Sequence, residues 1–156
     1  MKILTAVAVI AATMLTAAPA NSERFVIVAA EAQDSMVAID LDTIRDVAGY
    51  RRAWLTTVVM DSAYLKPIFA QTLYQFDCKA ERSQMLSGKM FGDDQKFIDD
   101  VTGNSSWEFP APSTSAYLAL SYACGKAAKE DEVLNISAYQ MFKAFVGTRT
   151  TARRKK

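Results

Sequence analysis

Residues 73–82 read "LYQFDCKAER", an alternating run that ends on one of the chain's two cysteines. Extended back to Ile68, just after Pro67, the run places Ile68, Ala70, Tyr74, Phe76 and Cys78 on one face, with Thr72 among them. Gln71, Gln75 and Asp77 point the other way, joined by Phe69 and Leu73. A period of two is the mark of a strand with one buried side. Cys78 therefore sits at a strand end on the more apolar face, and the fold depends on what it meets.

The only other cysteine, Cys124, lies in "STSAYLALSYACG", residues 113–125. Pro110 and Pro112 stop any strand before it. Ser113 can cap a helix and Gly125 can end one. Between them Tyr117, Leu120, Ser121 and Cys124 recur at helical spacing. A strand would instead align Tyr117, Ala119, Ser121 and Ala123, but a run this rich in alanine favours a helix.

The redox state of the pair follows from the N-terminus. Lys2 is followed by a nearly apolar run from Ile3 to Leu15, then by Ala18-Pro19-Ala20. That is the anatomy of a secretory signal peptide, and the run is shorter than the roughly 20 residues a membrane span needs. Cleavage is expected after Ala20, in an exported chain that is periplasmic or secreted. No cysteine follows the apolar run, so no lipid anchor is expected. Exported cysteines in even number are usually oxidised. A Cys78–Cys124 disulfide would staple helix to sheet. Two buried thiols are the alternative if the chain is not exported.

The remaining strands read outward from this staple. Residues 24–30, "RFVIVAA", and 36–41, "MVAIDL", suit a hairpin with Val37, Ile39 and Leu41 on one face. "DTIRDVAG" is turn-rich, and Gly49 can supply a left-handed residue. Residues 50–60, "YRRAWLTTVVM", form a β-branched and aromatic strand covered on both sides, with Trp54 in the core. Residues 82–91 form a further strand, and 92–106 a polar loop with room for one helical turn. Near the C-terminus, Leu134, Ala138, Met141 and Phe145 make a helical stripe after acidic residues 130–132, with Gly147 as its end. The fold class is α+β: an antiparallel sheet of five to six strands, a helix disulfide-linked to it, and an additional C-terminal helix. The divisions are 1–20 signal peptide, 21–126 folded domain, and 127–156 helix and basic tail.

The order of four motifs resembles the surface-adhesin protein E family of bacterial exported proteins. They are "AIDLDTI" (38–44), "YRRAWL" (50–55), "YQFDCKAERSQ" (74–84) and "WEFPAPSTSAYLALSYACG" (107–125). The resemblance covers about residues 24–126. It implies an antiparallel sheet with a helix disulfide-bonded to it, and binding to host or surface macromolecules rather than catalysis. Family members known as adhesins look like lipoproteins, whereas here the lipobox cysteine is missing, and "PAPS" (110–113) lacks the glycine common before that serine.

Composition narrows the chemistry. There is no histidine, which removes Ser-His-Asp and Cys-His catalysis and His-based zinc sites. Residues 21–148 carry 12 basic and 17 acidic side chains, while Arg149, Arg153, Arg154, Lys155 and Lys156 crowd the end. An acidic body with a basic tail is not a specific nucleic-acid binder. The tail is expected to be disordered. It is either only solubilising or a weak contact for anionic lipid or polysaccharide. Asp93, Asp94, Asp99 and Asp100 lack calcium-loop spacing and read as a solvated loop. No cofactor or metal is expected. Trp107 and the basic residues Arg153, Arg154, Lys155 and Lys156 are the candidate ligand contacts. The leading function is an exported, non-catalytic binding module. Its partner would be a host or envelope protein or a polysaccharide, and self-association is left open. The alternatives are a periplasmic accessory envelope protein and, far behind, a small hydrolase using carboxylates.

Overall fold

The structure is a computed structural model that describes residues 23–31, 35–60, 66–127 and 132–154. The expected signal peptide and Lys155 and Lys156 lie outside the described residues. Eight strands form one antiparallel sheet: β1 (Glu23–Glu31), β2 (Ser35–Asp40), β3 (Arg45–Val47), β4 (Tyr50–Val59), β5 (Ile68–Asp77), β6 (Arg82–Phe91), β7 (Phe97–Thr102) and β8 (Val133–Ile136). Two helices, α1 (Ser115–Ala123) and α2 (Ala138–Arg154), pack on opposite faces. The spatial order is β7-β6-β5-β4-β2-β1-β8, with β3 paired to β4 beside β2. This is the expected α+β class with more strands than the five to six expected.

The three added strands each have a physical reason. β3 is only three residues long and closes on β4 through Ala48 and Gly49, both at positive φ (52° and 83°). Two left-handed residues make the hairpin turn whose twist matches the strands. β7 lies inside the expected polar loop. It pairs with β6 as an exposed edge whose acidic residues keep it in water, so its apolar pattern is faint. β8 contains Leu134, which the helical stripe had claimed. It pairs with β1 from Glu23↔Ile136 to Val26↔Val133.

The last helix starts at a capping box instead. Ser137 Oγ accepts from the Gln140 N–H at 3.2 Å, and Gln140 Oε1 accepts from the Ser137 N–H at 2.9 Å. Glu23 adds a carboxylate to the same turn, accepting from the Ala138 N–H. Gly147 does not end α2, which continues to Arg154. A glycine inside a helix costs only about 1 kcal/mol. The tail expected to be disordered is therefore helical as far as Arg154.

Each face of the sheet has its own core. Val26, Val28, Ile39, Ala53, Leu55 and Phe76 meet Ala119, Leu120 and Ala123 of α1. Phe25, Met36, Ala38, Val58 and Phe69 meet Ala138, Met141, Phe142 and Phe145 of α2. The α1 helix is capped by Thr114, whose Oγ1 accepts from the Tyr117 N–H, not by Ser113, which has a φ of 69°. It ends at Gly125 (φ 67°), where the Lys126 N–H returns to the Ser121 carbonyl at 2.8 Å.

Candidate functional site

Cys78 and Cys124 form the expected disulfide, with Cα atoms 5.6 Å apart. β5 delivers Cys78 just past its last strand residue, on the face that carries Tyr74 and Phe76. On the other partner, Cys124 caps the C-terminus of α1. Arg51 reinforces the junction by donating Nε–H to the Ala123 carbonyl at 3.0 Å. Both sulfurs are engaged in this bond, and no free thiol is present among the described residues.

The opposite face is only partly covered. β4 runs without a register break from Arg51↔Phe76 to Val59↔Ile68, so Tyr50, Arg52 and Trp54 share the side of Val58. α2 packs over Val58 and Phe69 but not over those three residues. Beyond the helix the face carries Arg45 from β3, Tyr50, Arg52 and Trp54 from β4, Leu73 from β5, and Arg82 from β6. Tyr50, Arg52, Trp54, Leu73 and Arg82 are half-buried, and Arg45 is exposed.

Trp107 joins this surface from the loop after β7. A two-bond bridge between Ser83 and Glu108, at 2.9 and 2.8 Å, lays the loop along β6. The Trp107 ring then lies 5.3 Å from the Tyr50 ring and 4.6 Å from the Arg82 guanidinium carbon. Such a stack fixes an aromatic ring, and Trp107 remains half-buried. Arg82 is itself held by Asp77 at 3.0 Å. The Asp77 carboxyl lies below its usual range because the Ala80 N–H donates to it, with Arg82 adding to the effect. Arg52 donates Nε–H to Gln75 Oε1 at 2.9 Å. Tyr50, Arg52, Arg82 and Trp107 are thus each positioned by a neighbour.

Sequence reading found part of this surface. Trp107 was a candidate contact and lies in it. Trp54 was expected in the core but is half-buried at the open face, because β4 outruns the helix that covers its other end. Tyr50, Arg45, Arg52 and Leu73 were missed. Strict parity along "YRRAWL" would have placed Tyr50, Arg52 and Trp54 together. Arg153 and Arg154 end α2, away in sequence from this face.

Two other regions carry less. A cavity of about 100 Å³ under α1 is lined by Val37, Leu55, Tyr74, Phe76, Ser83 and Ala119, without a carboxylate. Burial raises the Tyr74 hydroxyl above its ordinary value, with Glu108 adding to this. In the acidic segment, Asp94 pairs with Lys96 at 2.7 Å and Asp100 with Lys89 at 2.9 Å. The Lys96 partner lowers Asp94, the wrong direction for the general acid of glycoside hydrolysis. Among the described residues no three His, Cys, Asp or Glu side chains cluster as a metal site. Nor is any described helix long and apolar enough to cross a membrane.

No curated protein and no solved structure matches the chain. The family model described as surface-adhesin protein E matches residues 25–125, from the third residue of β1 to the glycine that ends α1. That span holds the stapled helix and the whole open face, and the chain belongs to the surface-adhesin protein E family.

Proposed function

We propose that the protein is an exported, non-catalytic binding module that contacts surface macromolecules through the open face of its sheet. The observation that carries this reading is the half-buried pair Trp54 and Trp107, set beside Tyr50 and Leu73 on a face the helix leaves uncovered. Aromatic side chains at a partly desolvated, rigid surface are the residues that dominate macromolecular contacts. The residues span β3, β4, β5, β6 and the loop after β7, a breadth that suits an extended partner better than a small substrate.

The expected location is periplasmic or secreted. Support comes from the leader-like N-terminus and from the two cysteines, both engaged with each other and so unable to carry a lipid. An accessory role on the producing cell's own envelope is the second reading, favoured by both cysteines being tied up in the Cys78–Cys124 disulfide.

Beads coated with the protein should adhere to cultured animal cells or to isolated envelopes of the producing bacterium. Trp54→Ala/Trp107→Ala beads should lose most adhesion while the protein still melts cooperatively above the assay temperature, at a lower midpoint. Equal adhesion by the variant overturns the assignment of the face. Which of the two surfaces holds the beads separates the adhesin from the accessory protein.

A further inference from the structure

Arg45 and Arg52 stand directly opposite each other in the β3–β4 ladder. Like charges at such a position destabilise a sheet. Neither forms an ion pair with a described residue. Neighbouring carboxylates are already committed: Asp42 to Arg24 at 2.7 Å, Asp46 to Arg51 at 2.7 Å, and Asp77 to Arg82 at 3.0 Å. Arg52 spends its Nε–H on Gln75, and its terminal nitrogens have no hydrogen-bond partner among the described residues. A chain whose residues 21–148 are net acidic thus keeps two uncompensated guanidinium groups side by side on its open face. They lie next to Trp54, which follows Arg52 by two positions on the same side of β4.

We infer that the open face takes an acidic polysaccharide, its carboxylate or sulfate groups held by Arg45 and Arg52 and its sugar rings resting on Trp54 and Trp107. This rests on the face being the contact surface. The planar guanidinium fork matches carboxylate and sulfate geometry and is weakly hydrated, so it gives up water readily. Indole rings offer the flat, electron-rich faces against which the C–H sides of a sugar pack. Two arginines beside two indoles suit a polymer that presents acidic groups and sugar-ring C–H faces together. Spread-out basic charge of the kind a nucleic acid needs is missing from the net acidic body.

The test measures binding of the full chain to heparin, polygalacturonate, neutral dextran and a single-stranded oligonucleotide at physiological salt. A control chain carries Gln in place of Arg149, Arg153, Arg154, Lys155 and Lys156, so that the tail cannot supply the charge. This control should bind heparin or polygalacturonate about as the parent does. Arg45→Gln/Arg52→Gln in the same background should lose about tenfold or more, the scale of one or two charge-assisted hydrogen bonds. Preference for heparin identifies sulfate as the recognised group, and preference for polygalacturonate identifies carboxylate. Because a like-charge pair is being removed, Arg45→Gln alone should melt no lower than the parent and still bind the acidic glycan several-fold more weakly, which separates a lost contact from lost folding.

The inference is overturned if the arginine variant binds as its control does, if dextran or the oligonucleotide binds as tightly as the acidic glycans, or if neither acidic glycan binds. Should Trp54→Ala/Trp107→Ala abolish cell or envelope adhesion while the arginine variant keeps it, the face is the contact and only its polysaccharide ligand is wrong. Should neither variant change adhesion, the open-face reading fails as well.

Discussion

The two faces of the sheet are closed by different means. On one, a nine-residue helix with small side chains, Ala119 and Ala123, lies close to the strands, and a disulfide locks its end. On the other, a longer helix inserts Phe142 against Phe69 with ring centres 5.1 Å apart, and Phe91, the cross-strand partner of Phe69, lies 5.1 Å from it. No covalent bond ties that helix to the sheet among the described residues. The difference shows how a single sheet can serve two purposes. A short stapled helix secures one face with little surface, so the other can be divided between core and contact surface.

The largest break in this comparison is removal of the staple. Cys78→Ala/Cys124→Ala opens a loop whose ends are 46 residues apart, for which the chain-entropy account gives about 4 kcal/mol. Denaturant unfolding should show that loss, and reducing agent should produce the same shift in the parent but none in the variant. If reductant leaves the parent unmoved, the staple does not secure its face.

A smaller effect is expected on the other side. Met141 is 2% exposed beneath α2, and Met141→Ala should cost about 3 kcal/mol through lost transfer and the cavity left behind. Unfolding curves measure it. A loss below that of a surface substitution would mean α2 is a passenger and the open face extends under it.

The smallest effect is a pair of opposite pH responses. Burial raises the Asp40 carboxyl above its ordinary value. Its ionised form is the costly one in the folded state, so this group adds stability as pH falls through its raised value. Asp77 is lowered by the Ala80 N–H and Arg82. Its contribution is present above the ordinary carboxylate value and is lost as pH falls through its lowered one. Melting curves across the acid range should therefore become steeper in acid for Asp40→Asn and shallower for Asp77→Asn. The same change in both variants would contradict the two environments.

Much of this division could be read in the sequence. Alternation in "IFAQTLYQFDC" gave the orientation of Cys78, and the glycine after Cys124 gave the helix end, so the stapled face was legible. The weaker readings concern elements that packing creates. β8 is four residues long and pairs only because β1 has a free edge; in isolation "VLNI" merges with the helical stripe behind it. β7 exposes Phe97 and Ile98 among aspartates, which hides its period. The open face was missed for a related reason. Trp54 sits in the most apolar strand, and only the place where α2 stops leaves it at the surface.

The pairing of β1 with β8 joins the two ends of the domain: Glu23 meets Ile136 in the ladder, and its carboxylate also caps the first turn of α2. A ribosome makes the N-terminal strand first, and that strand must wait for a partner more than a hundred residues behind it. Until Ile136 has emerged, one edge of β1 stays unpaired and the apolar side of Phe25 lacks α2. The domain cannot complete itself while it is being threaded, so the chain passes through any narrow conduit unfinished. Its final closure is a late event, set by the last strand to arrive.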